Sequence, residues 1–336
     1  MGGPEVQTGG GLRRPTLRGS TSWAKRGMAR LDEIGILGAF LAICAILTVT
    51  TDDKFLRAAN ILSVSRQASY YGIMAVGMVF VISMGDVDLS VGSILTLVNV
   101  GMAIALAAGQ PLLLAMLLGL LIGAICGFTN GALSVILRIP TIIVTLGTLS
   151  LFRGLALVLA DGKPVSNYNK DNWFFQIGGG TILGVPTSVW GMIFVGILGF
   201  LLYNYTVFGQ RVQAIGSNLQ AARFSGISIS RYRLLVMTLM GVIAALAAIF
   251  ALAFLGAGDP QTGPGLELSV IAATIIGGTA LTGGVGSIFG AIIGALIIAV
   301  IRNGLILLGV SAYWSIAATG LVIIAAVAVD YLIKRR

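Results

Sequence analysis

Three carboxylates border long apolar stretches of the chain, where a charged side chain is costly. Asp86 and Asp88 precede one apolar run, and Glu267 begins another. A charge within hydrocarbon costs roughly 3 kcal/mol, so each carboxylate is a candidate for function. Asp88 and Glu267 also stand where a carboxylate can accept from free N–H groups at a helix start. Two compatible roles stay open for these residues, helix capping and the control of a gate. The candidates for both roles are Asp86, Asp88, Ser90 and Glu267.

A second set of polar residues is neutral and lies within the apolar runs. Its members are Asn99, Thr145, Thr148, Ser150 and Thr274. Amides and hydroxyls suit a path along which a neutral polar solute passes without tight binding. The alternative is hydrogen bonding between helices, which small polar side chains commonly provide in membranes. The sequence predicts a translocation path at Asn99, Thr145, Thr148 and Thr274 and leaves that alternative open.

Catalytic and metal-binding patterns are missing from the sequence. Its one Gly-Lys pair, at Gly162-Lys163, is followed by Pro164, so the sequence has no phosphate-binding loop. It contains no HExxH or GxSxG motif and no histidine. Cys44 and Cys126 both lie in apolar runs and are expected to be buried. We therefore expect no enzyme activity of its own, no metal and no cofactor.

One polar, basic segment, Gly209 to Ile227, lies between two runs long enough to cross a bilayer. Within it, an Ala-rich turn with a glycine at either end can present a short rigid helix to a cytoplasmic protein. The alternative is a loop held at the interface by anionic lipid. The candidate contact residues are Gly216, Asn218, Ala221, Ala222, Arg223 and Gly226.

The elements that must position these residues are membrane-spanning helices. Hydrophobic residues make up 57% of the 336-residue chain and charged residues 10%, whereas soluble domains carry about 25% charged residues. Apolar runs long enough to span hydrocarbon recur with short polar breaks. The predicted fold class is an all-α integral membrane protein with about ten transmembrane helices. Their predicted bounds are Gly35 to Thr50, Ser69 to Met84, Ser90 to Ala108, Leu112 to Leu137, Thr141 to Ala160, Thr187 to Tyr203, Leu234 to Leu255, Leu266 to Thr279, Gly286 to Leu308 and Tyr313 to Ile333.

The basic residues that give the chain its net charge of +9 indicate orientation rather than nucleic-acid binding. They concentrate in the N-terminal tail, around the central segment and at the Lys334-Arg335-Arg336 end. Positive charge marks the cytoplasmic side, and an even number of spans keeps all three clusters there. Residues 1–32 are predicted to be a disordered cytoplasmic tail. Residues 33–336 form the predicted transmembrane domain, with a coupling loop at 204–233. A re-entrant eighth run, interrupted by Gly277-Gly278, is the alternative, but an even count is favoured.

The predicted loop from Asp161 to Pro186 is the longest external connection. It contains Trp173, Phe174 and Phe175. These aromatics fit either an interfacial belt or a docking surface for an external partner.

Short sequence echoes predict that the helices form two inverted five-helix halves. Asp88-Leu89-Ser90-Val91 before the third run corresponds to Glu267-Leu268-Ser269-Val270 in the eighth. An offset of five spans reverses direction across the membrane, as in many transporters. The echo predicts that Asp88 and Glu267 lie at opposite membrane faces, on equivalent helix starts.

Three motifs resemble those of permease subunits in bacterial ATP-binding-cassette (ABC) sugar importers, the ribose, arabinose, xylose and galactoside family. They are Gly85-Asp86-Val87-Asp88-Leu89-Ser90-Val91-Gly92-Ser93, then Gly216-Ser217-Asn218 with Ala221-Ala222-Arg223-Phe224-Ser225-Gly226-Ile227, then Gly277 to Ser287. The resemblance extends from about residue 60 to the C-terminus. Family members usually carry Gly-Gly-Ile-Asp at residues 85–88 and Glu-Leu-Asp at 267–269, so this chain departs from the pattern beside its carboxylates.

The resemblance implies the permease subunit of an importer that passes a monosaccharide, such as a ribose-like pentose, into the cytoplasm. Its implied partners are a second copy of itself, a cytoplasmic ABC ATPase and an extracytoplasmic sugar-binding protein, in a multi-pass bacterial inner-membrane complex. It implies that residues 216–227 seat in a groove of the ATPase, with Asn218, Ala221 and Ala222 at the contact and Arg223 near acidic residues. No nucleic acid is expected, whereas membrane lipid is. The alternative is a stand-alone ion-coupled secondary transporter of a small polar solute.

Overall fold

Helices make up most of the structure, a computed structural model that describes residues 21–311 and the single positions 314, 317, 318, 320, 321 and 324. The α-helices of the described residues are α1 Thr21–Thr50, α2 Ala58–Ser83, α3 Val91–Ala107, α4 Leu112–Leu137, α5 Thr141–Leu159, α6 Thr187–Tyr205, α7 Val207–Ser217, α8 Leu219–Phe224, α9 Ile229–Leu255, α10 Leu266–Ile276 and α11 Ile288–Leu307. A π-helix turn, Phe174–Gly178, and two short strands, β1 Thr181–Ile182 and β2 Val185–Pro186, lie between α5 and α6.

Five of these helices, α4, α5, α6, α9 and α11, are long and apolar enough to cross a membrane. Residues 35–50 of α1, together with α3 and α10, form shorter apolar helices. The prediction of a mostly helical chain with helices that can cross a membrane is therefore confirmed, and the arrangement of ten spans in two halves stays a prediction. The tenth predicted span, Tyr313 to Ile333, lies largely outside the described residues, as do residues 1–20 of the predicted tail. Residues 21–32 belong to α1, so the extent of the tail stays a prediction.

Helix α2 forms the centre of the bundle. Every residue from Tyr71 to Ser83 is buried, and a helix that is apolar all round belongs in an interior. It packs against α11, α9, α6 and α10. A shift of α2 would therefore change its packing against four other helices.

Glycines allow α4 and α9 to approach at backbone distance. A Cβ added to Gly123 would overlap the carbonyl oxygen of Gly241, and one added to Gly127 would overlap that of Met237. Helices in a membrane gain van der Waals contact when small residues face each other. Gly123 and Gly127 therefore serve the close packing of α4 against α9.

Two non-helical segments, residues 84–90 and 256–265, precede the short helices α3 and α10. The two helix starts meet, because a Cβ added to Gly92 would lie 2.6 Å from the Gly263 oxygen and 2.7 Å from Glu267 Oε2. The prediction that Asp88 and Glu267 lie at opposite membrane faces is therefore wrong. The physical reason is that α10, with eleven residues, rises only about 16 Å. Its start lies within the bundle instead of at the end of a full span.

The connection between α5 and α6 contains structure that the sequence analysis did not predict. Strands β1 and β2 pair antiparallel around Leu183 and Gly184, whose φ values of 53° and 75° are both positive, as tight hairpin turns require. Val165 and Gly258 exchange backbone hydrogen bonds of 3.0 and 2.9 Å. The connection is therefore tied to the segment that leads into α10.

Candidate coupling surface and buried carboxylate site

Helix α7 is fixed to the bundle by hydrogen bonds to its neighbours. Thr206 Oγ1 caps the helix by accepting from Gly209 N at 3.3 Å. Gln213 Nε2 donates to the Tyr203 oxygen at 3.0 Å, and Arg211 Nη1 donates to Tyr232 Oη at 2.8 Å. The helix is therefore connected to both α6 and α9.

The end of α7 also touches the end of α2. A Cβ added to Gly216 would overlap the Ser83 carbonyl oxygen and lie 2.6 Å from Gly284 N. Gly284 N donates to the same Ser83 oxygen at 2.8 Å. Only glycine therefore fits at position 216. Because this residue touches the last residue of α2, a displacement of α7 would press on the end of α2.

Helix α8 is a short surface helix with defined ends. Asn218 Oδ1 accepts from Ala221 N at 2.9 Å, which caps its start. Gly226, at φ +79°, ends it, and its N–H donates to the Arg223 oxygen at 3.0 Å. Ala222 is buried at 4% exposure, while Ala221 and Arg223 are exposed. The helix thus rests on the bundle through one alanine and presents its other face outward.

Sequence reasoning missed Phe224 at the end of this surface. Its ring is 89% exposed, although it lies in a polar segment where an aromatic side chain gains nothing from water. An aromatic side chain at this position provides a large apolar surface that a partner can bury. The available signal was a single large apolar residue between Arg223 and Ser225.

Asp86 forms a two-point ion pair with Arg233 of α9. Arg233 Nε donates to Asp86 Oδ2 at 2.8 Å, and Arg233 Nη2 donates to Asp86 Oδ1 at 3.2 Å. The carboxylate side chain is 8% exposed and the guanidinium side chain 26%. Such forked pairs fix geometry as well as charge. The pair ties residues 84–90 to the part of α9 that follows α8.

Asp88 belongs to a buried polar chain that reaches α4 and α5. Its Oδ1 accepts from Ser90 N at 2.8 Å and from Ser90 Oγ at 2.7 Å. Asn130 Nδ2 donates to Ser90 Oγ at 2.7 Å, and Thr148 Oγ1 donates to Asn130 Oδ1 at 2.7 Å. The Asp88 carboxylate therefore accepts hydrogen bonds from Ser90, and it does not cap the N–H groups of the first turn of α3. Asp88 Oδ2 is buried and has no hydrogen-bond partner among the described residues.

Glu267 does accept from its own helix start, through a 3.2 Å hydrogen bond from Gly265 N to Oε1. Its other oxygen faces Gly92 at the first turn of α3. One carboxylate therefore lies between the starts of α10 and α3, where both partial helix charges are positive.

The neutral residues predicted to line a path are all buried. Thr145 Oγ1 donates to the Val87 oxygen at 3.3 Å, which brings it and Thr148 to the Asp88 chain. Thr274 donates within α10 to the Val270 oxygen at 2.8 Å. Both amide atoms of Asn99 are buried without a hydrogen-bond partner in the described part of the chain. Asn99 and Thr274 are thus not part of the Asp88 chain, and the role of all four stays a prediction.

Comparison with known proteins assigns the family. The family described as branched-chain amino acid transport system / permease component matches residues 60–327. The ribose import permease protein RbsC of Bacillus subtilis (strain 168) is 39% identical over 296 residues, 88% of this chain and 92% of the relative. The xylose transport system permease protein XylH of Escherichia coli (strain K12) is 33% identical over 361 aligned residues, 90% of this chain and 92% of the relative. The chain belongs to the bacterial sugar ABC permease family.

The arabinose branch of this permease family is represented among the relatives as well. The L-arabinose ABC transporter permease protein AraH of Azospirillum brasilense is 36% identical over 302 residues, 89% of this chain and 88% of the relative. No solved structure matches the permease with statistical significance. The names of these relatives describe transport, and none of them describes a catalytic activity.

Among the described residues, the permease has no group of three or more His, Cys, Asp or Glu that could hold a metal ion.

Asn130 takes part in the buried polar chain, but it was not among the residues selected from the sequence. In the sequence it belongs to an Asn-Gly pair, Asn130-Gly131, and the same pair occurs at Asn303-Gly304. Only the fold shows that it connects Ser90 to Thr148.

Proposed function

We propose that this chain is the membrane-spanning subunit of an ABC importer, which passes a monosaccharide such as a ribose-like pentose from an extracytoplasmic binding protein into the cytoplasm. Two copies form the pathway, and a cytoplasmic ATPase pair drives it. The names of the relatives support the sugar class, because RbsC, AraH and XylH are described as permeases for ribose, arabinose and xylose.

The observation that supports the coupling role is that α8 has an exposed face and follows α7, which is hydrogen-bonded to α6 and α9. Asn218, Ala221, Arg223 and Gly226 are exposed, whereas Gly216 and Ala222 pack against the bundle. A partner that pushes on this face would move α7, and α7 abuts Ser83 at the end of the central helix. The proposed ATPase groove receives Ala221 and Phe224, with its acidic residues near Arg223.

The proposed architecture has ten spans in two inverted halves, with both termini in the cytoplasm and a cytoplasmic tail before residue 33. The meeting of two short helices, α3 and α10, supports it. Each follows a non-helical segment, which is the arrangement of broken helices at the repeat interface of many transporters. In the proposed mechanism Asp86, Asp88, Ser90 and Glu267 bias the position of these helix starts. Asn99, Thr145, Thr148 and Thr274 line a path that opens when α3 and α10 move.

The test replaces Ala221 by aspartate in the full importer. The Ala221 side chain is exposed and its backbone N–H is already held by Asn218, so we expect normal folding and membrane level. A buried charge in the proposed groove should abolish both uptake and stimulation of the ATPase. The matched control is Ala59→Asp, the same change at an exposed position in the first turn of α2, about 36 Å of helix away from Ser83.

Wild-type uptake by Ala221→Asp would remove the coupling assignment. Uptake by the purified chain alone, driven by an ion gradient without any ATPase, would instead support the stand-alone secondary transporter. Proteoliposomes prepared with and without the ATPase distinguish these outcomes.

A further inference from the structure

A cavity of about 580 Å³, lined by both polar and apolar residues, lies between α2, α11, the end of α9 and residues 256–265. This volume is within the usual range of small-molecule sites. Arg66 of α2 lines it and precedes Ser83 by seventeen residues of helix, so it lies about 26 Å from the α7 end of the molecule. Arg66 Nη2 also lies 3.5 Å from the Gly179 oxygen in the connection between α5 and α6. The cavity is therefore at the end opposite the coupling surface.

Hydrogen-bonding groups converge on this cavity from two helices. Those that matter here are Arg66, Gln67, Tyr70, Tyr71, Arg302 and Asn303. Arg302 Nη1 donates to Tyr71 Oη at 2.9 Å. Asn303 Nδ2 donates to Asn60 Oδ1 at 2.8 Å, and Asn60 Nδ2 donates back at 3.1 Å. The guanidinium of Arg66 lies 4.0 Å from the centre of the Phe254 ring. These contacts hold the side chains in place and leave guanidinium donors free.

One lining group has no hydrogen-bond partner at all within the described chain. Tyr70 Oη is buried and unpaired, and an unpaired buried hydroxyl costs about 1 to 3 kcal/mol. A small shift of the Tyr70 ring toward the cavity would let an oxygen of a bound solute recover that cost.

The charges in the cavity are uncompensated. No aspartate or glutamate lines it, and the ion pairs among the described residues are Lys163 with Asp161 and Arg233 with Asp86. Arg66 and Arg302 are both only half-buried, but each faces neutral partners. A solute with a negative charge would therefore gain more here than a neutral sugar, because planar guanidinium forks match carboxylates.

We propose that this cavity is a solute-binding subsite that prefers a sugar acid, a ring sugar carrying a carboxylate, over the corresponding neutral sugar. Arg66 and Arg302 bind the carboxylate, while Gln67, Tyr70 and Asn303 face the hydroxyls. The assignment rests on the proposed transport function for its biological use, but binding itself is measured without transport.

Isothermal titration calorimetry on the full chain in lipid nanodiscs tests this with three pyranoses of matched stereochemistry. L-arabinose, D-galactose and D-galacturonate share the ring and differ only in the group on C5, which is hydrogen, hydroxymethyl or carboxylate. We expect D-galacturonate to bind at least about tenfold more tightly than either neutral sugar, or about 1.4 kcal/mol. Arg302→Gln and Arg66→Gln should each remove most of that preference, and Tyr71→Phe should weaken it.

Arg57→Gln is the matched control, because Arg57 is exposed just before α2 and does not line the cavity. If Arg302→Gln does not fold, Arg302→Lys replaces it in the test. Lysine keeps the positive charge but lacks the planar two-donor guanidinium group, so this variant should retain part of the preference for D-galacturonate. Ala221→Asp should bind D-galacturonate normally, so loss of coupling and loss of this site are separate results.

Equal binding of all three sugars, or undiminished preference in both arginine variants, would overturn the proposal. So would binding of inorganic phosphate in the absence of binding of any sugar. If no sugar binds but Arg302→Gln weakens docking of the binding protein, the cavity receives an acidic side chain of that partner instead.

Discussion

The ion pair between Asp86 and Arg233 allows a quantitative test of how the two parts of the bundle are joined. Its residues are 147 positions apart in the chain, so the contact is purely tertiary. The perturbation is a double-mutant cycle made of Arg233→Gln, Asp86→Asn and the combination of both. Asparagine keeps the shape of aspartate without its charge, and glutamine keeps the first three side-chain carbons of arginine while removing the charged guanidinium.

The exposures of the two side chains predict that the single variants differ. Arg233→Gln leaves a carboxylate that is only 8% exposed without its cation, which we expect to lower the free energy of unfolding by about 3 kcal/mol. Asp86→Asn leaves a guanidinium that is 26% exposed and can turn toward water, so the expected loss is about 1 kcal/mol. The double variant leaves no buried charge, and its loss should be smaller than the sum by about 1 to 2 kcal/mol.

The assay is equilibrium unfolding in mixed micelles, followed by far-UV circular dichroism. The control is the same cycle on Asp161 and Lys163, whose side chains are 92% and 80% exposed at an N···O distance of 3.4 Å. Solvent screens that pair, so its cycle should show no coupling. Additive losses at Asp86 and Arg233, or equal losses in the two single variants, would refute the reasoning.

Three further predictions follow from other contacts. If charge on Asp88 or Glu267 biases a gate, Asp88→Asn or Glu267→Gln should change basal ATPase activity or uptake at least about threefold, or some 0.65 kcal/mol; wild-type coupling of both variants in proteoliposomes would refute a gating role. Thr148→Val removes one hydrogen bond of the chain and should lower the free energy of unfolding by about 1 kcal/mol, but Asn130→Ala removes the hydrogen bonds to both Thr148 and Ser90 and should lower it by about 2 kcal/mol; equal losses would contradict the chain of hydrogen bonds. Burial raises the pKa of Tyr168 to about 12, above its usual value near 10, so its stabilising contribution is complete below pH 10 and is lost as pH rises toward 12; tyrosinate absorbance should show this late titration, and Tyr168→Phe should remove it.

The positions of several helices were predictable from the sequence, although α2 begins at Ala58, eleven residues before its predicted start at Ser69. The predicted span at Leu112 to Leu137 coincides with α4, and that at Thr141 to Ala160 differs from α5 by one residue. Hydropathy fixes such boundaries because a helix must cover the hydrocarbon with apolar residues and can place polar ones only at its ends. The surface helix at residues 219–224 was predictable for a similar local reason, since Asn218 and Gly226 supply its two ends.

Tertiary structure alone decided which polar groups meet. Nothing local distinguishes Asn130 from Asn99, yet Asn130 joins Ser90 to Thr148 and Asn99 has no hydrogen-bond partner in the described chain. Likewise, the sequence echo placed Asp88 and Glu267 at opposite faces, whereas the fold brings Glu267 against Gly92. Hydropathy and capping are properties of one continuous segment of the chain. The pairing of charges depends instead on how deeply the segments before α3 and α10 enter the bundle, which close packing of distant helices sets.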